Sequence, residues 1–465
     1  MRHRRPTPLV ALVLAAAGCS WIAAAALLAG PAPPPPQEPD VEDASDPRPP
    51  QDPDRLRVIM DTGVRAQVRL AFPEIEGVGR YGGDFGRAAR ELDTTLRSDL
   101  EQSGIFEIQG PWAFRPLNLT GDLAHDFEQY RSLGNELLLL AEVRPERDRL
   151  VFEGRLYDLP SGQSVLAKRY RGPLDAARRI AHVFADEIIE YVSGRRGLAQ
   201  TRIAYTSLRG GRKEIWVMDY DGANQRPVTA HRSTSMSPAW SPSSSALLYT
   251  SFVQGAPGIY RADLSSGKKF PVVTDGDQNI SPTFSPDGRR IAFSRALGGN
   301  SEIFVANVDG SNLRRLTHSP AIDTNPAWSP TGGQIAFTSN RAGNPHVFVM
   351  DAEGTGVRRI STGGTLNDGA SWGPEGDRIA YSSRRRGTFD VAVTDLVTLD
   401  TRVLTSGAGS HEDPSFSPDG RRIAFSSTRS GSHQIWVMNA DGSDPRGLTG
   451  EGSNSLPAWS PYAAR

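Results

Sequence analysis

The sequence predicts an all-β six-bladed propeller preceded by a smaller α/β domain. Three observations carry that prediction: an internal period of 44 residues, four short apolar runs in each repeat, and a mixed helix and strand pattern upstream. The period is set by two independent anchors. The first is "IAY" at Ile203, matched by Leu247, Ile291, Ile335, Ile379 and Ile423, every step being 44 residues. The second is an aromatic before a Ser/Gly-Pro turn, at Trp240, Phe284, Trp328, Trp372, Phe416 and Trp459, with a last step of 43.

Each repeat reads as four antiparallel strands, the composition of a propeller blade. In the repeat from Pro414, "PSF" ends the first strand and "SPDG" turns it, since Pro presets φ and Gly relieves the exit. "RRIAFSS" is the second strand, "QIWVMNA" the third, and "DG" leads to the fourth, "PRGLT". Such a sheet cannot bury both faces alone, so blades stack and the recurring aromatic fills the gap between neighbours. The repeat starts out of phase: no "PAW" precedes Ile203, and "LPAWSPYAAR" ends the chain without a following "IAF". The two fragments complete one blade, which closes the ring and removes a free sheet edge.

Upstream, "VRLAFPEI" reads as a strand, and so does "LRVIMDTG". Phe85, Ala88, Ala89, Leu92, Leu96 and Leu100 recur at helical spacing, with Gly104 as the stop. A short helix carries Leu123, Phe127, Tyr130 and Leu133. "ELLLLAEVRP", "RLVFEGRLYDL" and "SVLAKRYRG" follow as strands, and 173–193 as a helix with Leu174, Ala177, Ile180, Ala181, Phe184, Ile188 and Tyr191 on one face. The resulting division is an export signal or anchor at 1–30, a Pro/Asp-rich spacer at 31–54, an α/β domain at 55–195 and the propeller at 199–465.

The N-terminal "MRHRRPTP" and the apolar run behind it form an export signal. Cleavage near Ala29, after small residues, would release a soluble protein, and this outcome is favoured. Cleavage before Cys19 would resemble lipoprotein processing, although Leu is missing three residues before it. Retention would leave Leu9–Ala29 as an anchor long enough to span. Charge is balanced, 52 Lys and Arg against 53 Asp and Glu, so no global field draws nucleic acid. The single cysteine excludes an intramolecular disulfide framework.

Candidate functional residues lie where the copies differ. The loops 274–281, 321–326, 365–370, 409–414 and 452–457 lead into first strands and should meet at one mouth of the channel. They bring together Gln278, Asn279, Ser281, Asp323, Thr324, Asn325, Asn367, Asp368, His411, Glu412 and Asp413 as a partner-binding set. No D-x-D-x-D-G run is present, so no metal or other cofactor is expected, and "DG" at Asp221, Asp309 and Asp441 is turn chemistry. No G-x-S-x-G elbow and no phosphate loop is present, so catalysis is not expected; His125 and His182 read as surface or packing residues.

"LRVIMDTGV", "LRSDLEQSGIFEI", "SVLAKRYRG", "TRIAYTS" and the closing "PAWSPY", in this order, resemble the TolB family of the Tol-Pal envelope system. The resemblance implies a monomeric scaffold without catalytic activity. It implies binding of the peptidoglycan-associated lipoprotein Pal at the mouth, through positions matching Gln278–Ser281 and Asp323–Asn325. It also implies binding of the inner-membrane protein TolA through "RLRVIMDTGV" (55–64), where Val58, Met60, Asp61 and Gly63 carry the match. In this chain Pro31–Asp54 precedes that segment, a departure from the family pattern. A glycan-binding propeller and an accessory subunit of a separate hydrolase are the alternatives; the mouth loops contain no aromatic residue, which disfavours the first.

Overall fold

A computed structural model describes residues 40–43 and 67–463. The apolar run at 1–30 and the segment 55–64, with Val58, Met60, Asp61 and Gly63, lie outside the described residues.

The first folded part is a six-stranded mixed sheet. Its strands are β1 (Asp40–Asp43), β2 (Val68–Ala71), β3 (Phe106–Gln109), β4 (Leu137–Glu146), β5 (Arg149–Asp158) and β6 (Gln163–Pro173), in spatial order β1-β6-β5-β4-β2-β3. β2 pairs in parallel with β3 and β4; the other pairings are antiparallel. Helix α1 (Gly83–Gln102) lies between β2 and β3 in the chain, which is the crossover a parallel pair requires. It ends at Ser103 and at Gly104, whose φ of 69° suits glycine, as the spacing predicts.

α1 and α3 (Ala177–Ser193) bury one face of this sheet through Leu92, Leu96, Ile180, Phe184 and Ile188. α2 (Leu123–Ser132) covers part of the other face with Phe127 and Tyr130, while Leu123 is exposed. Beyond α2 that second face is charged: Arg144, Arg149, Arg155, Arg169 and Arg171 share it with Glu142, Glu146 and Glu153. Strand β1 falls within the stretch that composition marks as a spacer.

The second part is six four-stranded sheets. The chain's last strand, Ser453–Trp459, pairs antiparallel with Arg202–Arg209, so the first blade is built from both ends of the domain as the phase of the repeat requires. Each anchor aromatic packs on the preceding blade. Trp372, for instance, lies against Ala336, Val347 and Val349, and its indole N–H donates to Ala327 O at 3.0 Å. Trp240 donates likewise to Ala458 O across the closure. The fourth strands are short, only Arg446–Gly447 in the last blade.

The two parts meet through α1 and α3. Arg178 donates to Asp219, to Asp221 and to Thr95, and Arg422 donates to Gln102 O. Asp186 accepts from Ala199 N and from Gln200, fixing the connecting segment to α3. Beside these contacts a cleft of about 1030 Å³ separates the parts, lined by Gln67 and Arg196 on one side and by the Asp419–Arg421 turn and Arg446 on the other.

Candidate functional site

Six inner strands converge on the channel, and each carries the same local distortion. The ladder slips between Met236 and Ala239, Ile280 and Thr283, Thr324 and Ala327, Asp368 and Ser371, Glu412 and Ser415, and Ser455 and Ala458. Each slip contains one residue with positive φ: Ser237, Ser281, Asn325, Gly369, Asp413 and Leu456. A bulge of this kind bends the strand and re-aims its side chains. These six residues and the ones after them, five prolines and Ala370, enclose a cavity of about 170 Å³ on the channel axis.

The ring is stitched blade to blade by hydroxyls 31 residues upstream. The N–H groups of Ser237, Ser281, Asn325 and Asp413 donate to Thr206, Thr250, Ser294 and Ser382 at 2.9–3.3 Å. The pattern changes in two places. At Gly369 the N–H turns to Asp368 Oδ1, which also receives Thr338 Oγ1 and Asn325 Nδ2, each at 2.7 Å. At Leu456 the N–H donates to Asp413 Oδ2 at 3.3 Å, while Ser426 instead pairs with His433.

The residue two positions before each ring residue is polar and buried: Ser235, Asn279, Asp323, Asn367, His411 and Asn454. These side chains are engaged inside the loops. Asn279 donates to Asp275 O, Asp323 receives Arg341, Asn367 meets His346 and Gly363 O, and His411 meets Ser427. The positions between, Thr324, Asp368 and Glu412 among them, are half-exposed, as are Gln278, Ser281, Asn325 and Asp413. The predicted set therefore divides in two. Gln278, Ser281, Thr324, Asn325, Asp368, Glu412 and Asp413 face the mouth or channel, whereas Asn279, Asp323, Asn367 and His411 are held within the loops. Sequence reasoning missed Ser237 and Leu456, although the repeat places them in register with Ser281 and Asp413.

Charge is uneven around the ring. Burial, then Glu412 beside it, pushes the Asp413 carboxyl up to about 7, with Asp368 adding to the effect. Burial and Asp368 raise Glu412 as well. Three carboxyl groups thus crowd two adjacent blades, and a cationic or hydrogen-bond-donating group entering there would relieve their repulsion. Among the described residues no three His, Cys, Asp or Glu side chains are arranged to hold a metal ion.

The molecule is a two-domain propeller protein, an α/β domain joined to a six-bladed ring closed by its last strand. The chain belongs to the TolB family: the TolB amino-terminal domain matches residues 56–165 and the TolB beta propeller domain matches residues 189–463. The Tol-Pal system protein TolB of Syntrophotalea carbinolica is 38% identical over 205 residues, 42% of this chain and 47% of that protein. That of Geobacter metallireducens is 41% identical over 174 residues, 37% of this chain and 41% of that protein. The chain spans under half the length of these curated relatives. The crystal structure of TolB from Acinetobacter baumannii superimposes with a TM-score of 0.71 at 25% identity, covering 91% of this chain and all of that one.

Proposed function

We propose that this protein is a non-enzymatic, periplasmic binding scaffold of a Tol-Pal system, holding a Pal-like lipoprotein at the propeller mouth and a TolA-like protein through residues 55–64. One observation supports the mouth assignment above the rest. The ring of bulged strands opens on the face away from the α/β domain: the inner strand His411–Phe416 starts at the mouth and ends at the turn that lines the interdomain cleft. Six residues of strand separate those faces by about 20 Å, so two partners fit without competing for space. The half-exposed side chains make the contact, and the buried set keeps the loops in shape.

The test is titration of the full chain with the soluble domain of the Pal-like lipoprotein. The Gln278→Ala/Thr324→Ala/Glu412→Ala variant should bind at least tenfold more weakly while melting at the wild-type temperature. Equal affinity would overturn the mouth assignment. Capture of a TolA-like periplasmic domain, lost on deletion of 55–64, tests the second contact separately.

A further inference from the structure

Arg384 and Arg385 end the strand Arg378–Arg385, and Arg386 enters the turn to the strand Thr388–Asp395. Arg384 lies opposite Leu366 and Ser382 opposite Asp368, so this turn stands at the mouth end of the fifth blade, one strand further out than Asp368. Arg385 pairs with Thr388, which leaves a two-residue turn of Arg386 and Gly387 with φ of 51° and 96°. Both places are left-handed, the geometry whose twist suits a tight hairpin. The first and third blades make the same turn at matching positions, and there glycine fills both places: Gly210 and Gly211, Gly298 and Gly299. A side chain in the first place crowds the backbone, so the fifth blade carries a strain that the other two avoid. Strain of this kind is kept where a side chain is needed.

The charge it adds is not used inside the chain. Arg384 and Arg386 are exposed, and Arg385 is half-buried with its Nε buried and lacking an acceptor. Among the described residues none of the three makes a side-chain hydrogen bond or ion pair; Arg384 only lies over the Phe389 ring, at 6.0 Å. The fourth blade shows what is missing. Arg341, 44 residues before Arg385, donates to Asp323 at 2.8 Å. The counterpart of Asp323 in the fifth blade is Asn367, which is uncharged and is held by His346 and Gly363 O. In the first blade the matching Arg209 donates to Gln225 and lies 3.8 Å from Glu451. The acid across the fifth hairpin, Asp390 opposite Ser383, receives Thr405 at 3.0 Å instead.

We infer that the Arg384–Arg386 turn is an anion-recognition element of the mouth, taking carboxylates from an acidic face of a protein partner. It rests on the mouth being a partner site and adds the chemistry which that partner must carry. A guanidinium presents paired donors that match a carboxylate, and a two-residue turn holds them on a fixed base. Because the blades repeat, the ring offers a partner six similar rotational seatings. An unanswered cationic turn in the fifth blade favours one of them, since complementary charge fixes register.

The first probe is a fluorescein-labelled hexaglutamate peptide, added to the full chain and to its R384E/R386E variant, which changes only the two exposed side chains. The wild type should bind it about tenfold more tightly at about 50 mM salt, and the difference should shrink at about 500 mM. R386G, which relieves the turn, should melt no lower than the wild type and still bind the peptide more weakly. Equal peptide affinity in wild type and both variants would overturn the proposal. The second probe is the soluble domain of the Pal-like lipoprotein, for which R384E/R386E should lose about tenfold in affinity and much of the salt dependence. If Q278A/T324A/E412A weakens that complex and R384E/R386E does not, this inference fails and the mouth assignment stands. If the peptide is lost in R384E/R386E while Q278A/T324A/E412A leaves the lipoprotein affinity unchanged, the anion element stands and the mouth assignment fails. Wild-type binding to phosphatidylglycerol vesicles without binding to the peptide would assign the turn to a membrane surface and overturn the proposal.

Discussion

The hydroxyl of Tyr220, in the first blade, donates to Asp99 Oδ1 of helix α1 at 2.8 Å across the domain boundary. The other oxygen of that carboxylate lies 2.7 Å from His182 Nδ1 on α3, so one buried acid ties together three elements. Removing the hydroxyl by Tyr220→Phe leaves a buried carboxylate oxygen without its donor, which should cost about 2 kcal/mol. Urea unfolding of the full chain measures it.

The same contact predicts a pH dependence. Burial pulls the His182 pKa down, but the hydrogen bond and charge of Asp99 outweigh it, so the folded-state value is raised; Arg178 opposes and Asp219 assists. The stabilisation is therefore complete below about pH 6.5, the unfolded value, and is lost as pH rises through the higher folded one. Melting temperature measured from pH 5 to 9 should fall more steeply in the wild type than in His182→Gln.

Asp413 predicts a second titration. Its folded pKa stands near 7 against an ordinary 3.8, so its ionisation destabilises the ring progressively as pH rises from about 4 through 7. Asp413→Asn keeps an acceptor for Leu456 N–H and removes the charge. It should be more stable than the wild type at pH 8, by up to about 4 kcal/mol, and close to it at pH 4. Paired denaturant curves at the two pH values check this.

Trp372 fills the gap between two blades and donates to Ala327 O. Trp372→Ala should cost about 3–5 kcal/mol. Trp372→Phe, which retains most of the packing and loses the N–H, should cost less. A variant that melts like the wild type would show that the blades do not depend on this wedge.

Gly369 has φ of 68°, and an added Cβ would meet nothing nearer than Ser382 Oγ at 3.8 Å. Gly369→Ala therefore tests backbone strain without a clash and should cost about 1–2 kcal/mol. Calorimetry of the variant gives the number.

The blades were legible because the information that builds them is local and repeated: the turn, the strand face and the wedge all recur 44 residues apart. The buried polar position of each loop was not separable from its exposed neighbour. Asn279 and Gln278 are both polar, and only the bulge decides which turns inward. Asp221 shares its "DG" context with Asp309 and Asp441, where the carboxylate receives Ser311 and Ser443 in a turn. In the first blade it bonds the turn and also receives Arg178, a role conferred by a helix far away in the chain. The Asp99–His182–Tyr220 contact spans 83 and 121 residues, and no local pattern encodes such distances. Strand β1 was hidden for the same reason, since the strand it pairs with, β6, lies far along the chain.

The pairing of Ser453–Trp459 with Arg202–Arg209 has a temporal meaning. A growing chain cannot finish its first blade until Ser453–Trp459 has been made, so the ring has no closed state before that point. A product cut short before Ser453 would leave the Arg202–Arg209 edge bare, with backbone groups open to pairing with another chain. The first blade thus depends on two segments from opposite ends of the propeller, and neither completes it alone.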